Sequence, residues 1–198
     1  MPVIGVTGGI STGKTSFCDC LREIVPSAKV FNADHAAREL TDHDAEVKES
    51  LRQQFGGAIF SDTGDLNRAA LRAIVFADAE KKSALEQILH PRIRRQWSKT
   101  AEISRKSGDL FLADIPLLYE TGGETLCDRV VVVACARETQ LKRLMGRSSL
   151  ERTEAEQIIN SQMPLEDKIA RADHVVWNNG DRSGLMEQAR ILAVTWQD

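Results

Sequence analysis

The stretch Gly8-Gly9-Ile10-Ser11-Thr12-Gly13-Lys14-Thr15 has the spacing G-x-x-x-x-G-K-[ST]. The apolar run Pro2–Thr7 before it predicts a buried strand, and apolar residues on one face of Lys14–Val25 after it predict a helix. Between a strand and a helix, glycines allow consecutive N–H groups to point at an anion, while Lys14 and the helix N-terminus add positive charge. The stretch therefore predicts a loop that holds the phosphates of a nucleoside triphosphate, with the Thr15 hydroxyl available to a magnesium ion.

A chance match in a Gly-containing turn is the alternative interpretation of this loop, and the strand and helix patterns on either side make it the weaker one. The residues that we expect to contact the nucleotide are Gly8, Gly9, Ile10, Ser11, Thr12, Gly13, Lys14, Thr15 and Ser16.

The composition is that of a globular protein with room for one core and a small insertion. The chain has 198 residues, of which 42% are hydrophobic and 28% are charged, and its formal net charge is −3. The acidic balance argues against a dedicated nucleic-acid binder, and no apolar run approaches the roughly 20 residues of a membrane span. The first residues lack the basic segment of a signal peptide, and the spacing of the cysteines fits neither a disulfide framework nor a C-x-x-C site. We therefore expect a cytoplasmic protein that binds neither nucleic acid nor membrane, and the sequence does not indicate an oligomeric state.

Strand patterns that alternate with helical patterns predict a doubly wound, five-stranded parallel α/β sheet. The five apolar segments are Val3–Thr7, Lys29–Phe31, Leu110–Ala113, Val130–Cys135 and His174–Trp177. Two long helical stretches interrupt the alternation. Residues 36–106 predict an inserted helical substrate domain, and residues 141–168, which are charged and broken by Pro164, predict a lid. Residues 1–35, 107–140 and 169–198 would then form the nucleotide-binding core.

Two acidic residues follow predicted strands, at the sheet edge where ligands bind in open α/β folds. Asp34 could take the proton from an attacking hydroxyl, or it could cap the helix that begins near His35. Asp114 closes an apolar strand, as a carboxylate that holds magnesium does, or it caps the next turn. Pro116 prevents a regular continuation of that strand, and the apolar pair Leu117-Leu118 could pack inside or line a ligand groove.

Arg143 and Arg147 lie four residues apart and hence on one face of a predicted helix. In a lid they could reach over the triphosphate and stabilise charge on the transferring group. Arg137 and Arg152 flank them, and the alternative is a solvated basic face that pairs with Glu138 and Glu151.

Two further basic residues are weaker candidates. Arg38 lies four residues after Asp34 on the same predicted helical face, where it could pair with that carboxylate or bind an anionic substrate. His90-Pro91 is predicted to end one helix and start another, and a histidine there more often caps or packs than catalyses.

Taken in order, these motifs resemble those of dephospho-CoA kinases over Gly5 to Gly180. The residues that carry the resemblance are Gly5–Ile10 with Gly13-Lys14-Thr15, Ala33-Asp34 with Arg38, Leu89-His90-Pro91 with Ile93, Asp114–Glu120, Gln140-Leu141 with Arg143 and Arg147, Gln162-Met163-Pro164 with Lys168, and Ala172-Asp173 with Asn178-Asn179-Gly180. The resemblance implies a P-loop kinase that transfers the ATP γ-phosphate to the ribose 3′-hydroxyl of dephospho-CoA, the last step of coenzyme A synthesis. It also implies a nucleotide core, a helical CoA domain and a lid.

The resemblance assigns roles by position. Asp34 resembles the general base, Lys14 and Thr15 resemble the phosphate and magnesium groups, and Asn178 resembles a residue near the adenine. It implies lid arginines at Arg143 and Arg147 and parts of the acceptor or metal site at Arg38, His90 and Asp114, with Pro116 and Leu117 beside them. The chain departs from the family pattern at Asn32, where Asp is usual, at Ser11-Thr12, where Gly-Ser is usual, and at Trp177, where Asp is common. With Asn32 in place of an acid, Asp34 would act alone.

Other functions predict different sequence features. Another small-molecule kinase would share the loop and the lid but has no reason for Asp114-Ile115-Pro116. A guanine-nucleotide switch needs N-K-x-D, which does not occur, and the D-x-x-G string occurs only at Asp181–Gly184, after the last predicted strand. A paralogue that binds without turnover would have no need of Lys14 and Asp34.

Overall fold

The computed structural model describes residues 2–148 and 150–196. It divides into a first unit, Met1–Asn32 with Ser98–Asp198, and a second unit, Ala33–Trp97. We describe each unit by itself. No helix among the described residues is long and apolar enough to span a membrane.

The first unit is built on a parallel sheet of five strands, which confirms the predicted sheet. The strands are β1 (Val3–Gly8), β2 (Lys29–Asn32), β3 (Phe111–Asp114), β4 (Arg129–Ala134) and β5 (His174–Trp177). Their order is β2-β3-β1-β4-β5, and every neighbouring pair is parallel. The direction of winding therefore reverses at β1, whose carboxyl end is the position at which doubly wound sheets bind ligands.

Helices cover the sheet of the first unit because its central strands are apolar on both faces. The helices that lie wholly in the first unit are α1 (Lys14–Ile24), α6 (Arg137–Ser148), α7 (Arg152–Asn160), α8 (Leu165–Ala170) and α9 (Arg182–Thr195). Phe17 and Leu21 of α1 pack with Leu185 of α9 against Ile4 and Val131 of the sheet, all of them buried. The core therefore fixes α1, and with it the loop between β1 and α1.

The second unit is helical. It contains α2 (Ala33–His43), α3 (Ala45–Phe55), a short 3-10 turn (Gly57–Ile59), α4 (Arg68–Ala77) and α5 (Ala79–Ser107), whose residues from Ser98 onward belong to the first unit. Side-chain caps define two of the helix starts, because Asp44 accepts a hydrogen bond from the Val47 N–H and Asn67 accepts one from the Ala70 N–H. The buried apolar residues include Leu40, Val47, Leu51, Ile59 and Leu71.

The predicted helix break at His90-Pro91 is wrong, because α5 runs through Pro91 without interruption. A proline within a helix loses one backbone hydrogen bond and costs about 3 kcal/mol. The Arg92 guanidinium donates to the carbonyl of Ile88 at 2.9 Å, one turn back. Ile93 and Trp97 are buried on the following turns, and we attribute the continuity of the helix to this packing. His90 therefore lies inside a helix and does not cap one.

Candidate active site

The phosphate loop, Gly8–Thr15, requires glycine at two of its positions, Gly8 and Gly13. Gly8 has φ 148° and Gly13 has φ 96°, and a Cβ atom on either would lie 2.2 Å from a neighbouring atom. For Gly8 that atom is the Val133 carbonyl oxygen, and for Gly13 it is Nδ2 of Asn178. Side chains at these positions would force the loop open, so its wrapped shape depends on both glycines.

Ser11 is the non-glycine residue of the loop with a positive φ, at 58°. Glycine adopts this left-handed region without steric cost, which gives a physical reason why glycine is usual at this position. The Ser11 hydroxyl is buried and has no hydrogen-bond partner among the described residues. The departure from the family pattern therefore leaves the loop intact while adding a polar atom to it.

Lys14 lies folded over the loop. Its ammonium group donates to the Gly9 carbonyl at 3.0 Å, and the Thr12 hydroxyl donates to the same oxygen at 2.9 Å. The Lys14 side chain is largely buried, so its charge acts in a region with little solvent. A buried cation beside loop N–H groups is suited to an anionic ligand.

Asp114, at the end of β3, is 2% exposed and holds side chains from two neighbouring segments. Its Oδ2 accepts a hydrogen bond from the Thr15 hydroxyl at 2.9 Å and another from Nδ2 of Asn32 at 2.8 Å. The register of the sheet brings Asn32 to Asp114, because the two residues pair across β2 and β3, while Thr15 reaches Asp114 from the first turn of α1. Asn32, which stands where the family usually has an acid, here orients a carboxylate.

Carboxylate and hydroxyl oxygens are the donors that Mg²⁺ prefers, so Asp114 and Thr15 fit a magnesium ion chemically. Across the described ranges, no cluster of three or more His, Cys, Asp or Glu side chains is placed to hold a metal ion. Magnesium at phosphate-transfer sites commonly takes one or two protein ligands and completes its shell with phosphate and water. The donor set around Asp114 is of that kind.

Two glutamines bond to the phosphate loop from the segment predicted as a lid and its border. Gln140 donates through Nε2 to the Ile10 carbonyl at 2.8 Å, and Oε1 of Gln162 accepts from the Ile10 N–H at 2.9 Å. In the sequence they had no signal of their own and appeared only within the family resemblance. They fix both backbone polar groups of Ile10.

Asn178 contacts the same loop from the end of β5. Its Nδ2 donates to the Thr12 carbonyl at 2.9 Å, and its backbone N–H donates to the Ala134 carbonyl at 2.7 Å. A cavity of about 770 Å³ adjoins the loop here. Five predicted nucleotide or lid residues line its wall, namely Ser11, Gly13, Ser16, Arg143 and Asn178.

The two predicted lid arginines differ in their surroundings. Both lie on α6, where Arg143 is half-buried and Arg147 is exposed. Burial raises the pKa of the Cys135 thiol, and the Arg143 guanidinium beside it opposes that rise. Glu138 pairs with Arg152 at 2.6 Å, and within residues 2–148 and 150–196 no ion pair joins Arg143 or Arg147 to an acid. The alternative interpretation is therefore confirmed in part, because Glu138 pairs with the flanking Arg152, while Arg143 and Arg147 themselves have no such pair in these ranges.

The segment after β3 turns sharply at Pro116, as its sequence predicts. The Pro116 carbonyl accepts hydrogen bonds from the Thr7 hydroxyl at 3.0 Å and from the Lys168 ammonium at 2.9 Å. Leu118 is fully buried, so it packs inside, whereas Leu117 is half-buried. Sequence reasoning gave Lys168 no role.

Three predicted site residues belong to the second unit. Asp34 and Arg38 are both exposed and lie one turn apart on α2. Because α2 begins at Ala33, Asp34 lies in its first turn, and the prediction that it caps a helix starting near His35 is wrong. His90 is half-buried on α5, and burial lowers its pKa while Glu86 partly offsets that effect. Arg38 also borders a cavity of about 250 Å³ that is lined mainly by apolar side chains of this unit.

Comparisons with known proteins identify the family. The family model for dephospho-CoA kinase matches residues 2–183. A dephospho-CoA kinase from Bacillus cereus is 38% identical over 195 residues, covering 98% of this chain and 96% of the relative. One from Anaeromyxobacter dehalogenans is 41% identical over 195 residues, covering 98% of this chain and 92% of the relative. The solved structure of a dephospho-CoA kinase from Campylobacter jejuni aligns with a TM-score of 0.65 at 27% identity, covering 98% of this chain and 96% of that one. The chain belongs to the dephospho-CoA kinase family.

Proposed function

We propose that this protein transfers the γ-phosphate of ATP to the ribose 3′-hydroxyl of dephospho-CoA, giving coenzyme A and ADP. Its family membership supports the reaction, and one observation in the first unit carries the proposal. At the winding reversal of the sheet, Thr15 and Asn32 converge on Oδ2 of Asp114, directly beside the phosphate loop. Phosphoryl transfer requires mainly positioning and charge neutralisation, and this arrangement supplies groups for both.

The donor side of the reaction follows from the loop. The N–H groups of Gly8–Ser16 and the Lys14 ammonium would bind the phosphates of ATP, and Asn178 would lie near the adenine. Thr15 and Asp114 would hold a magnesium ion, which supplies neutralisation of phosphate charge when bound. The cavity of about 770 Å³ beside Ser11 and Asn178 offers room for the rest of the nucleotide.

The acceptor side of the reaction is proposed from the family membership. Asp34 would accept the proton from the ribose 3′-hydroxyl, a role that suits its exposed carboxylate in the first turn of α2, directly after β2. The acceptor would contact Arg38, His90, Asp114, Pro116 and Leu117. Residues 36–106 would form the CoA-binding domain around it.

Residues 141–168 would act as a lid over the transferring phosphate. Arg143 and Arg147 lie on one helical face, and the absence of ion pairs to acids within the described ranges leaves their charge for the phosphates. Cationic groups aimed at the transferring phosphoryl stabilise the charge that it carries in the transition state. The half-buried Arg143 already lines the cavity beside the loop.

The test is a coupled assay of ADP release with dephospho-CoA, with nucleosides, or with water alone, followed by ³¹P NMR of the product. We expect turnover with dephospho-CoA and a new 3′-phosphomonoester signal. Asp34→Asn should lower kcat by about 10²–10⁴-fold, the range of general-base effects, with ATP affinity largely retained. Asp62→Asn, which removes another exposed carboxylate of the second unit, is the matched control. Turnover with water alone would contradict the kinase assignment, and an unchanged kcat in Asp34→Asn would move the base elsewhere.

A further inference from the structure

Lys168, on α8, is a charged residue whose side chain is completely buried, with 0% exposed. Its ammonium group forms an ion pair with Oε1 of Glu120 at 2.8 Å and donates to the Pro116 carbonyl at 2.9 Å. Both partners lie in the turn that follows Asp114. Lys168 therefore joins α8 to the end of β3 through two contacts.

Each partner of Lys168 has a second contact. The Pro116 carbonyl also accepts from the hydroxyl of Thr7 at 3.0 Å, and Thr7 lies in β1 directly before the phosphate loop. Oε1 of Glu120 also accepts from the Met163 N–H at 3.1 Å. We call these five residues, Thr7, Pro116, Glu120, Met163 and Lys168, the Lys168 network.

The Lys168 network meets the phosphate loop at two points. Thr7 directly precedes Gly8, and Met163 directly follows Gln162, whose side chain accepts from the Ile10 N–H at 2.9 Å. A continuous series of contacts thus runs from Ile10 through Gln162 and Met163 to Glu120 and Lys168. It returns through Pro116 and Thr7 to the start of the loop.

Stability alone does not account for this arrangement. Burying an ion costs several kcal/mol, and well-packed apolar residues in place of a buried ion pair are often as stable or more stable. What a buried ammonium group with two fixed acceptors provides is a single geometry. Around Lys168 that geometry fixes the positions of Asp114, the phosphate loop and the segment 162–168, which would surround the site of transfer in the proposed function.

We propose that Lys168 is a positioning residue for phosphoryl transfer, which fixes the turn after Asp114 and the segment 162–168 in one arrangement against the phosphate loop. The proposal rests on the function proposed above. Among the described residues, the polar contacts of the Lys168 ammonium are with Pro116 and Glu120 and not with the loop or Asp114, so Lys168 would act through those two residues. A small displacement of groups that position a reaction costs up to about 10²-fold in rate, whereas loop N–H groups and Lys14 would still bind ATP.

The test compares Lys168→Met, which keeps the length of the side chain without its charge, with Lys106→Met, an exposed lysine of the same unit. We expect Lys168→Met to lower kcat by about 10–100-fold, with the Kd of ATP within about 3-fold of wild type. In hydrogen exchange followed by NMR, the Ile10 and Met163 amides should exchange faster while that of Val132, in the sheet core, does not. Lys106→Met should change none of these quantities. A kcat near wild type in folded Lys168→Met would overturn the proposal.

Two further variants separate positioning from folding. Lys168→Met with Glu120→Gln removes the carboxylate that has lost its ion-pair partner but retains an acceptor for the Met163 N–H, so any loss of Tm caused by that carboxylate should recover while kcat stays low. Recovery of kcat together with the Tm would overturn the proposal. Thr7→Val removes only the other donor to Pro116 and should lower kcat less than Lys168→Met does; an unchanged kcat and Ile10 exchange rate would count against the network. If wild type itself fails to phosphorylate dephospho-CoA, the proposed function fails, and the exchange measurement still tests the arrangement.

Discussion

Replacing Gly13 with alanine should destabilise the protein through one identifiable neighbour, Asn178. Gly13 has φ 96°, and a Cβ atom there would lie 2.2 Å from Nδ2 of Asn178. The backbone strain costs about 1–2 kcal/mol for a non-glycine residue. Asn178 must also move away and give up its 2.9 Å hydrogen bond to the Thr12 carbonyl. Leaving a buried carbonyl unpaired costs about 1–3 kcal/mol, so we expect a total loss of about 2–5 kcal/mol.

A double-mutant cycle tests this reasoning by urea unfolding without nucleotide. Asn178→Ala alone should cost about 1–3 kcal/mol, the value of the lost bond. In the double variant the clash is gone and the bond is already absent, so its loss should equal that of Gly13→Ala alone. The two effects should therefore be less than additive, by about 1–3 kcal/mol. Gly146→Ala is the control, since a Cβ there meets nothing within 4 Å and the helix should gain about 0.5–1 kcal/mol.

Additivity of the two free energies within about 0.5 kcal/mol would refute the contact between Gly13 and Asn178 as the cause. A Gly13→Ala variant as stable as wild type would refute the backbone argument as well. Isothermal titration with ATP extends the test to binding, because a loop that opens to admit a Cβ presents its N–H groups in the wrong directions. We therefore expect weaker ATP binding in Gly13→Ala than in Gly146→Ala.

Three other predictions concern single side chains. Burial raises the pKa of Tyr119, the single tyrosine, to about 12. Absorbance at 295 nm should therefore stay flat well above the usual tyrosine pKa of about 10, and the stability that the neutral phenol contributes should be lost as pH rises toward about 12. A titration midpoint near about 10 in the native protein would contradict this prediction. Burial lowers the pKa of His90, so the folded protein holds the neutral imidazole, and the free energy of unfolding should fall as pH drops below about 6.5. His90→Gln should make this fall smaller. Parallel pH profiles of the variant and wild type would contradict the prediction. Asn32→Asp replaces a donor 2.8 Å from Oδ2 of Asp114 with a second carboxylate, and the repulsion between the two should cost on the order of 2 kcal/mol of stability at pH 8 without divalent cations. Added Mg²⁺ should then stabilise the variant more than it stabilises wild type. Equal responses to Mg²⁺ would refute the repulsion.

Local patterns in the sequence predicted the sheet and the phosphate loop because both depend on neighbouring residues. The strand at His174–Trp177 has the predicted bounds, and Phe111–Asp114 lies one residue later than predicted. The spacing of Gly8 and Gly13 indicated a wrapped loop, and the positive φ values of both residues agree with it. Alternation and glycine spacing are properties of a few adjacent residues, which a single sequence contains in full.

The errors occurred where distant packing outweighs local preference. Pro91 is a strong local signal for a helix end, yet α5 continues with Ile93 and Trp97 buried beyond it. The partner of Glu138 also depends on packing between elements. Its actual partner, Arg152, lies on α7 and reaches it only because α6 and α7 pack together.

Lys168 shows most clearly what a single sequence cannot contain. In a short polar helix beside Glu166 and Asp167, a lysine is ordinarily exposed, and its burial follows from a partner 52 residues earlier, the carbonyl of Pro116. Every residue has a backbone carbonyl, so no residue type in the sequence could have predicted that contact. Lys168 is buried because its interactions with two specific acceptors offset the free-energy cost of desolvating its ammonium group. Those acceptors are within reach only once the fold has brought α8 to the end of β3. A charged residue whose position depends on the finished fold in this way is well suited to hold that fold in one geometry, and this is why we assign Lys168 to positioning.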